Sequence, residues 1–137
     1  MNKFIYIIIF GTIFYSCNDD NCYIQEVYVN KVIDLSLPAY NKISTEGNSM
    51  FIDGGVEGII IFHGIGNNYK IYDRNCSYEP CLPCSKIDSV ESGIAYCGCC
   101  TSVFDINNSG NPINAPALLP LKSYNYILDN NILRIFN

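Results

Sequence analysis

Six of the eight cysteines fall between residues 76 and 100. They form two clusters. One is Cys76, Cys81 and Cys84, within Cys76-Ser-Tyr-Glu-Pro-Cys81-Leu-Pro-Cys84; the other is Cys97, Cys99 and Cys100, followed by Thr101 and Ser102. Thiolates are ligands for zinc and for iron, and neighbouring thiols also pair with one another. Each cluster follows a run that reads as a strand, so each belongs on a loop at a strand end, where two such loops can clasp a metal or cross-link. The Cys81-x-x-Cys84 spacing also suits a redox dithiol, but no helix follows it and no βαβ pattern surrounds it. His63 is the single histidine, and no Ser/His/Asp or Cys/His arrangement accompanies it. It reads as an exposed residue of a hairpin turn. Gly64 and Gly66 lack the strand–turn–helix setting of a phosphate loop and read as turn chemistry.

The elements that must hold these loops read as β throughout. Residues 27–35 nearly alternate apolar and polar, which suits a half-buried strand. Ile59, Ile60, Ile61 and Phe62 form a continuous run that reads as a buried strand. Two glycines and two asparagines in 63–68 mark a turn, and 69–73 alternates again, so 58–73 reads as a hairpin. Residues 93–97 and 102–106 are further short strands, and 107–111 is a turn cluster. The strands 124–128 and 132–136 flank Asp129-Asn130-Asn131 as a closing hairpin. Only 38–48 could hold a helical turn. Pro112, Pro116 and Pro120 recur every four residues and predict a stiff, extended loop. Most of the eleven tyrosines fall on strand positions and read as core and edge residues. The pattern predicts an all-β sandwich or barrel.

At the N-terminus, Lys3 precedes a twelve-residue apolar stretch, 4–15, and small Ser16 stands directly before Cys17. This is the anatomy of a secretory signal, too short to remain as a membrane span. Its ending resembles a lipobox, with Phe14 where that motif prefers Leu. Residues 1–16 are therefore expected to be removed, and Cys17 to be lipidated as the first mature residue. Residues 17–26 are then a lipidated tether and 27–137 a single domain large enough for a real core. Asp19-Asp20 resembles the surface-export signal of Bacteroidetes lipoproteins. The expected place is the cell envelope, on the outer membrane, with surface display in view. Losing Lys3 leaves seven basic against thirteen acidic residues, a net of −6. That balance excludes a basic footprint for nucleic acid and any charged patch for anionic lipid. The lipid on Cys17 is the expected membrane contact. Seven cysteines remain in an oxidising compartment, so at least one thiol is free, metal-bound or intermolecular.

The cysteine loops resemble those of the Rieske iron–sulfur family. That family has a Cys-x-His loop and, after a hairpin, a Cys-x-x-His-Gly-Ser-x-Phe/Tyr loop. This chain has Cys76-Ser77-Tyr78 and Cys97-Gly98-Cys99-Cys100-Thr101-Ser102-Val103-Phe104. Gly55-Val-Glu-Gly58, the proline-rich stretch 114–117, and 120–124 before a last hairpin resemble the same domain, over roughly residues 27–137. The likeness is nearest to small Rieske-like lipoproteins of Bacteroidetes. It implies an antiparallel Rieske-like β-sandwich or barrel with the two cysteine loops at one end, and an ancestral electron-transfer role.

Both histidine positions are changed, to Tyr78 and Cys100. A Rieske centre needs two histidines on one iron, so this chain cannot build it. Three outcomes stay open. A [2Fe–2S] cluster could survive on Cys76, Cys97, Cys100 and Cys84. Zinc could take the same four thiolates. Or no cofactor is bound and the domain is a disulfide-stapled binding or structural module, with no catalytic residue. For that third outcome the resemblance implies a Cys81–Cys99 bridge, where the family often ties its two loops. It also implies a Cys76–Cys97 bridge between the thiols at the two Cys-ligand positions. Cys84 and Cys100 could then pair, leaving Cys22 as the odd thiol. The third outcome is the leading expectation and the cluster its main alternative.

Overall fold

The computed structural model describes residues 22–137; the expected leader, Cys17 and Asp19-Asp20 lie outside the described residues. Among the described residues, ten strands form three antiparallel sheets. They are β1 (Asn30–Asp34), β2 (Ser49–Ile52), β3 (Ile59–His63), β4 (Tyr69–Asp73), β5 (Ile87–Glu91), β6 (Ile94–Cys97), β7 (Val103–Asp105), β8 (Asn111–Asn114), β9 (Asn125–Asp129) and β10 (Ile132–Phe136). The sheet orders are β1-β10-β9, β2-β3-β4 and β5-β6-β7-β8.

The continuous apolar run becomes β3, buried along all five residues. Its burial follows from its place between two cores. Ile60 and Phe62 enter one core with Tyr72, Ile87, Ala95, Phe104, Ile106 and Leu121. Ile59 and Ile61 enter the other with Ile33, Ile43, Ile71, Leu133 and Ile135. A strand with both faces covered has no polar side to alternate with. The 58–73 and 124–136 hairpins form as expected, the latter with Asn130 in a left-handed turn conformation that asparagine tolerates.

Several readings are corrected. The first strand is shorter than expected, Asn30–Asp34. The weak helical turn is a 3-10 helix, Pro38–Ser44, started by a proline whose fixed φ suits that position. β2 and β5 were not expected, and β8 falls in the asparagine and proline stretch expected as turn and loop. Pro112 is tolerated there because β8 is the edge of its sheet. His63 is not exposed: it closes β3 and is buried. Its Nε2 donates to the Gly66 carbonyl at 2.6 Å, and its ring stacks on Tyr69.

The segment before β1 is fastened to the domain. Cys22 is disulfide-bonded to Cys81. Lys122 pairs with Glu26 at 2.7 Å, and Asn137 bonds the backbone of Val27 and Val29.

Candidate metal centre

Three loops meet at one end of the domain. Residues 74–86 join β4 to β5, 98–102 join β6 to β7, and 115–124 join β8 to β9. Asp73 anchors the first. Its carboxylate is fully buried and accepts from Asn75 N at 2.7 Å, Val56 N at 2.6 Å, Glu57 N at 3.3 Å and Tyr124 Oη at 2.6 Å. Burial and that bond to Asp73 push the Tyr124 hydroxyl far up, so it stays protonated and donates. Gly55 allows the approach: a Cβ there would collide with the Asp73 carboxylate, and its φ is +62°. Asn75 then spans the loop, its Nδ2 donating to Pro80 O and Ser85 O. Cys76 N donates to Ser85 O at 2.9 Å, which closes the loop at its base.

The second loop is tied to the first through Gly98, whose N–H donates to Lys86 O at 3.3 Å. The Asp88 carboxylate lies over Gly98, so a side chain at this position would have to displace it. The third loop is held by Ser102, whose Oγ accepts from Ala117 N at 2.9 Å, and by Ser77, whose Oγ donates to Leu119 O at 2.6 Å.

The loops bring Cys76, Cys97 and Cys100 together, with the three sulfurs all within 4.8 Å of one another. Cys76 Sγ and Cys100 Sγ are 3.9 Å apart. All three are free thiols; Cys76 and Cys97 are buried and Cys100 is half-buried. Cys100 Sγ also lies 3.2 Å from Ser102 Oγ. Burial pushes the Cys76 thiol strongly up, and Cys97 and Cys100 beside it add to the effect. Burial likewise raises Cys97. At Cys100 burial acts the same way but is outweighed by the Ser102 hydroxyl and N–H and by the two neighbouring thiols, so its pKa falls.

The remaining described cysteines are paired, differently from the pairing the resemblance implied. Cys81 bonds Cys22, not Cys99, and Cys84 bonds Cys99, not Cys100. Cys76 and Cys97 are not bridged, and Cys22 is not the odd thiol. The inter-loop tie exists, but Cys84 supplies it, because Cys81 is taken by the N-terminal segment. Of the four expected ligands, Cys76, Cys97 and Cys100 are assembled and Cys84 is committed elsewhere. Sequence reasoning also missed Asp73 and Ser102. The Asp73-Arg-Asn-Cys76 order offered a clue to Asp73, since an aspartate two residues before an asparagine commonly caps its backbone.

A [2Fe–2S] cluster takes four protein ligands divided between two irons. Among the described residues three thiols converge, no histidine joins them, and Cys84 is bonded to Cys99. This donor set does not fit the cluster. It does fit one ion: thiolates about 2.3 Å from a tetrahedral centre stand about 3.8 Å apart.

No protein-family model and no curated protein sequence matches the chain. Solved structures do. The ferredoxin of carbazole 1,9a-dioxygenase from Nocardioides aromaticivorans IC177 is similar over 80% of this chain and 97% of that one, with 16% identity and a TM-score of 0.53. A complex of reduced oxygenase and oxidized ferredoxin in carbazole 1,9a-dioxygenase matches over 82% and 94%, with 11% identity and a TM-score of 0.54. The likeness shows the fold: an all-β, Rieske-like domain with its cysteine-rich loops at one end.

Proposed function

We propose that this chain is an envelope lipoprotein whose Rieske-like domain binds a single thiophilic metal ion on Cys76, Cys97 and Cys100, in place of an iron–sulfur cluster. The observation that carries this reading is the convergence of three free sulfurs, two of them buried, in a set of single-ion size. In an oxidising compartment adjacent thiols pair unless a metal holds them. Burial makes Cys76 and Cys97 resist ionisation, and a bound ion supplies the positive charge that lets them lose their protons. Soft thiolate sets select zinc or copper(I). Three cysteines leave any fourth position to a donor from outside the trio. The Cys84–Cys99 bridge ties the two ligand-bearing loops and keeps the trio assembled. The module is then a binder of metal at the envelope, without catalytic residues.

A second reading is electron transfer through a [2Fe–2S] cluster with altered ligands. The likeness to ferredoxins favours it, and the committed state of Cys84 weighs against it.

The test is metal content and thiol titration on full chain purified from membranes without oxygen. One zinc or copper per chain is expected, with three thiols that label only after a chelator is added. Two irons with acid-labile sulfide would establish the cluster instead. A chain without metal and with Cys76 bridged to Cys97 would establish the disulfide-stapled structural module.

A further inference from the structure

The Cys22–Cys81 disulfide connects two things that lie far apart in the sequence: the segment expected to carry the lipid, and the first loop of the metal centre. Cys22 is five residues after Cys17. Five residues of fully extended chain span about 18 Å at most. Part of that length is used in crossing the lipid headgroup layer, which is roughly 5–8 Å thick on each side of the hydrocarbon. Without the bridge, the anchor would hold the domain through a longer segment, up to the contacts at residues 25–29. With it, the loop that bears Cys76 is held against the surface the lipid enters.

The chemistry of that end agrees. Residues 76–84, 98–101 and 115–121 contain one charged side chain, Glu79, in a chain that is otherwise acidic. The same loops expose Leu82, Leu118 and Leu119, at 43%, 88% and 63% of their surface. The Ser77–Leu119 bond joins the loop of Leu118 and Leu119 to the loop of Leu82. Tyr23, next to the bridge and 70% exposed, lines one cleft with Leu82, Pro80 and Pro83, and Gln25 and Glu57 border the same cleft on its other side. Exposed leucines beside a tyrosine, with the acidic Glu57 and Glu79 at their margin, suit the boundary between headgroups and acyl chains.

We infer that the Cys22–Cys81 disulfide is an orienting clamp, which seats the Leu82, Leu118 and Leu119 tip in the bilayer that holds the lipid and turns the three-thiol centre toward that membrane. The inference rests on the lipid-anchor reading above and is independent of which metal is bound. The contact is apolar, so it withstands high salt. It gives the centre an orientation: half-buried Cys100 lies toward the membrane surface and not toward bulk solvent.

The chain has no tryptophan, so a single introduced one reports its own surroundings. Leu118→Trp places it at the tip. Ile65→Trp places it in the β3–β4 turn, 89% exposed and separated from the cysteine loops by the length of β4. Lipidated full chain carrying either change is incorporated into phosphatidylethanolamine–phosphatidylglycerol vesicles, part of whose acyl chains are brominated. Bromolipid is expected to quench Leu118→Trp several-fold more than Ile65→Trp. Combining Leu118→Trp with Cys22→Ser and Cys81→Ser is expected to lower the quenching toward the Ile65→Trp level while the chain still floats with vesicles. A chain that floats but shows equal quenching at both positions overturns the clamp and leaves the anchor intact. A blue-shifted Leu118→Trp that bromolipid does not quench means that protein covers the tip, and also overturns it. A chain that fails to float removes the anchor and the clamp together.

Discussion

On the face of β3 that carries Ile59 and Ile61, the core closes strand upon strand. β1 and β10 lay Ile33, Leu133 and Ile135 over it, and the 3-10 helix adds Ile43. On the face that carries Ile60 and Phe62, the core closes with loops. Cys76, Cys97, Ala117 and Leu121 fill it from residues outside the strands or at their ends. A strand-closed core needs only the right period and enough aliphatic volume. A loop-closed core must also satisfy exposed backbone groups and limit loop freedom. Here the buried Asp73 carboxylate, the Ser102 hydroxyl and the Cys84–Cys99 bridge meet those needs. The free thiols lie on the loop-closed side, where side-chain placement is set by specific bonds and not by sheet register. A constellation of three sulfurs can be assembled on that side without disturbing the other.

The comparison breaks most sharply at Asp73, which serves both sides through Asn75 and Tyr124. Asp73→Ala leaves four donors without their acceptor, and a lost bond to a buried charged group costs up to about 3 kcal/mol. Denaturant titration is expected to show a loss of roughly 4 kcal/mol or more, with the near-ultraviolet signal of tyrosines changing across the whole domain. A loss under about 1 kcal/mol would mean that the loops do not depend on this carboxylate.

Removing the inter-loop bridge is the next largest change and concerns one side only. Cys84 and Cys99 are 15 residues apart, and closing a loop of that size is worth about 3 kcal/mol in chain entropy. Cys84→Ser with Cys99→Ser is expected to cost about that much. Hydrogen exchange should rise in 74–86 and 97–103 while the amides of β1, β9 and β10 keep their protection. Uniform loss of protection would show that the two cores unfold as one unit.

A smaller effect sharpens the same contrast through pH. Burial, and secondarily Asp105, pushes the Tyr72 hydroxyl up to about 12 from its ordinary value of 10, and it donates to Ile106 O at 2.9 Å. A folded-state value above the unfolded one means that the folded form holds the proton longer. The stabilisation is complete below pH 10 and is lost as pH rises from 10 toward 12. Tyr72→Phe is expected to cost about 1 kcal/mol at neutral pH and to flatten the alkaline fall in stability. An unchanged alkaline slope would assign that fall to other groups.

What could be read in the sequence follows the same division. The continuous run of β3 and the two hairpins are periodic, and the aliphatic core they build was legible from them. β5 was missed because Asp88 and Ser89 interrupt its apolar pattern, and β8 because an edge strand accommodates proline. The meeting of the two cysteine clusters was legible through their spacing and family resemblance. Their pairing was not: Cys22 lies 59 residues from Cys81, and seven thiols allow many connectivities that spacing alone does not rank. His63 was misread because Gly64 and Gly66 beside it mark a turn, whereas its own backbone still belongs to β3 and its ring is drawn inward by the Gly66 carbonyl and Tyr69.

The central claim is that three cysteines hold one metal ion. X-ray absorption at the edge of the bound metal, on full chain purified without oxygen, measures this directly. The account predicts about three sulfur neighbours near 2.3 Å, no metal–metal vector, and loss of most of that sulfur shell in Cys97→Ser. A metal–metal vector with bridging sulfide would contradict it, as would a metal held by ligands that leave Cys76, Cys97 and Cys100 free to react.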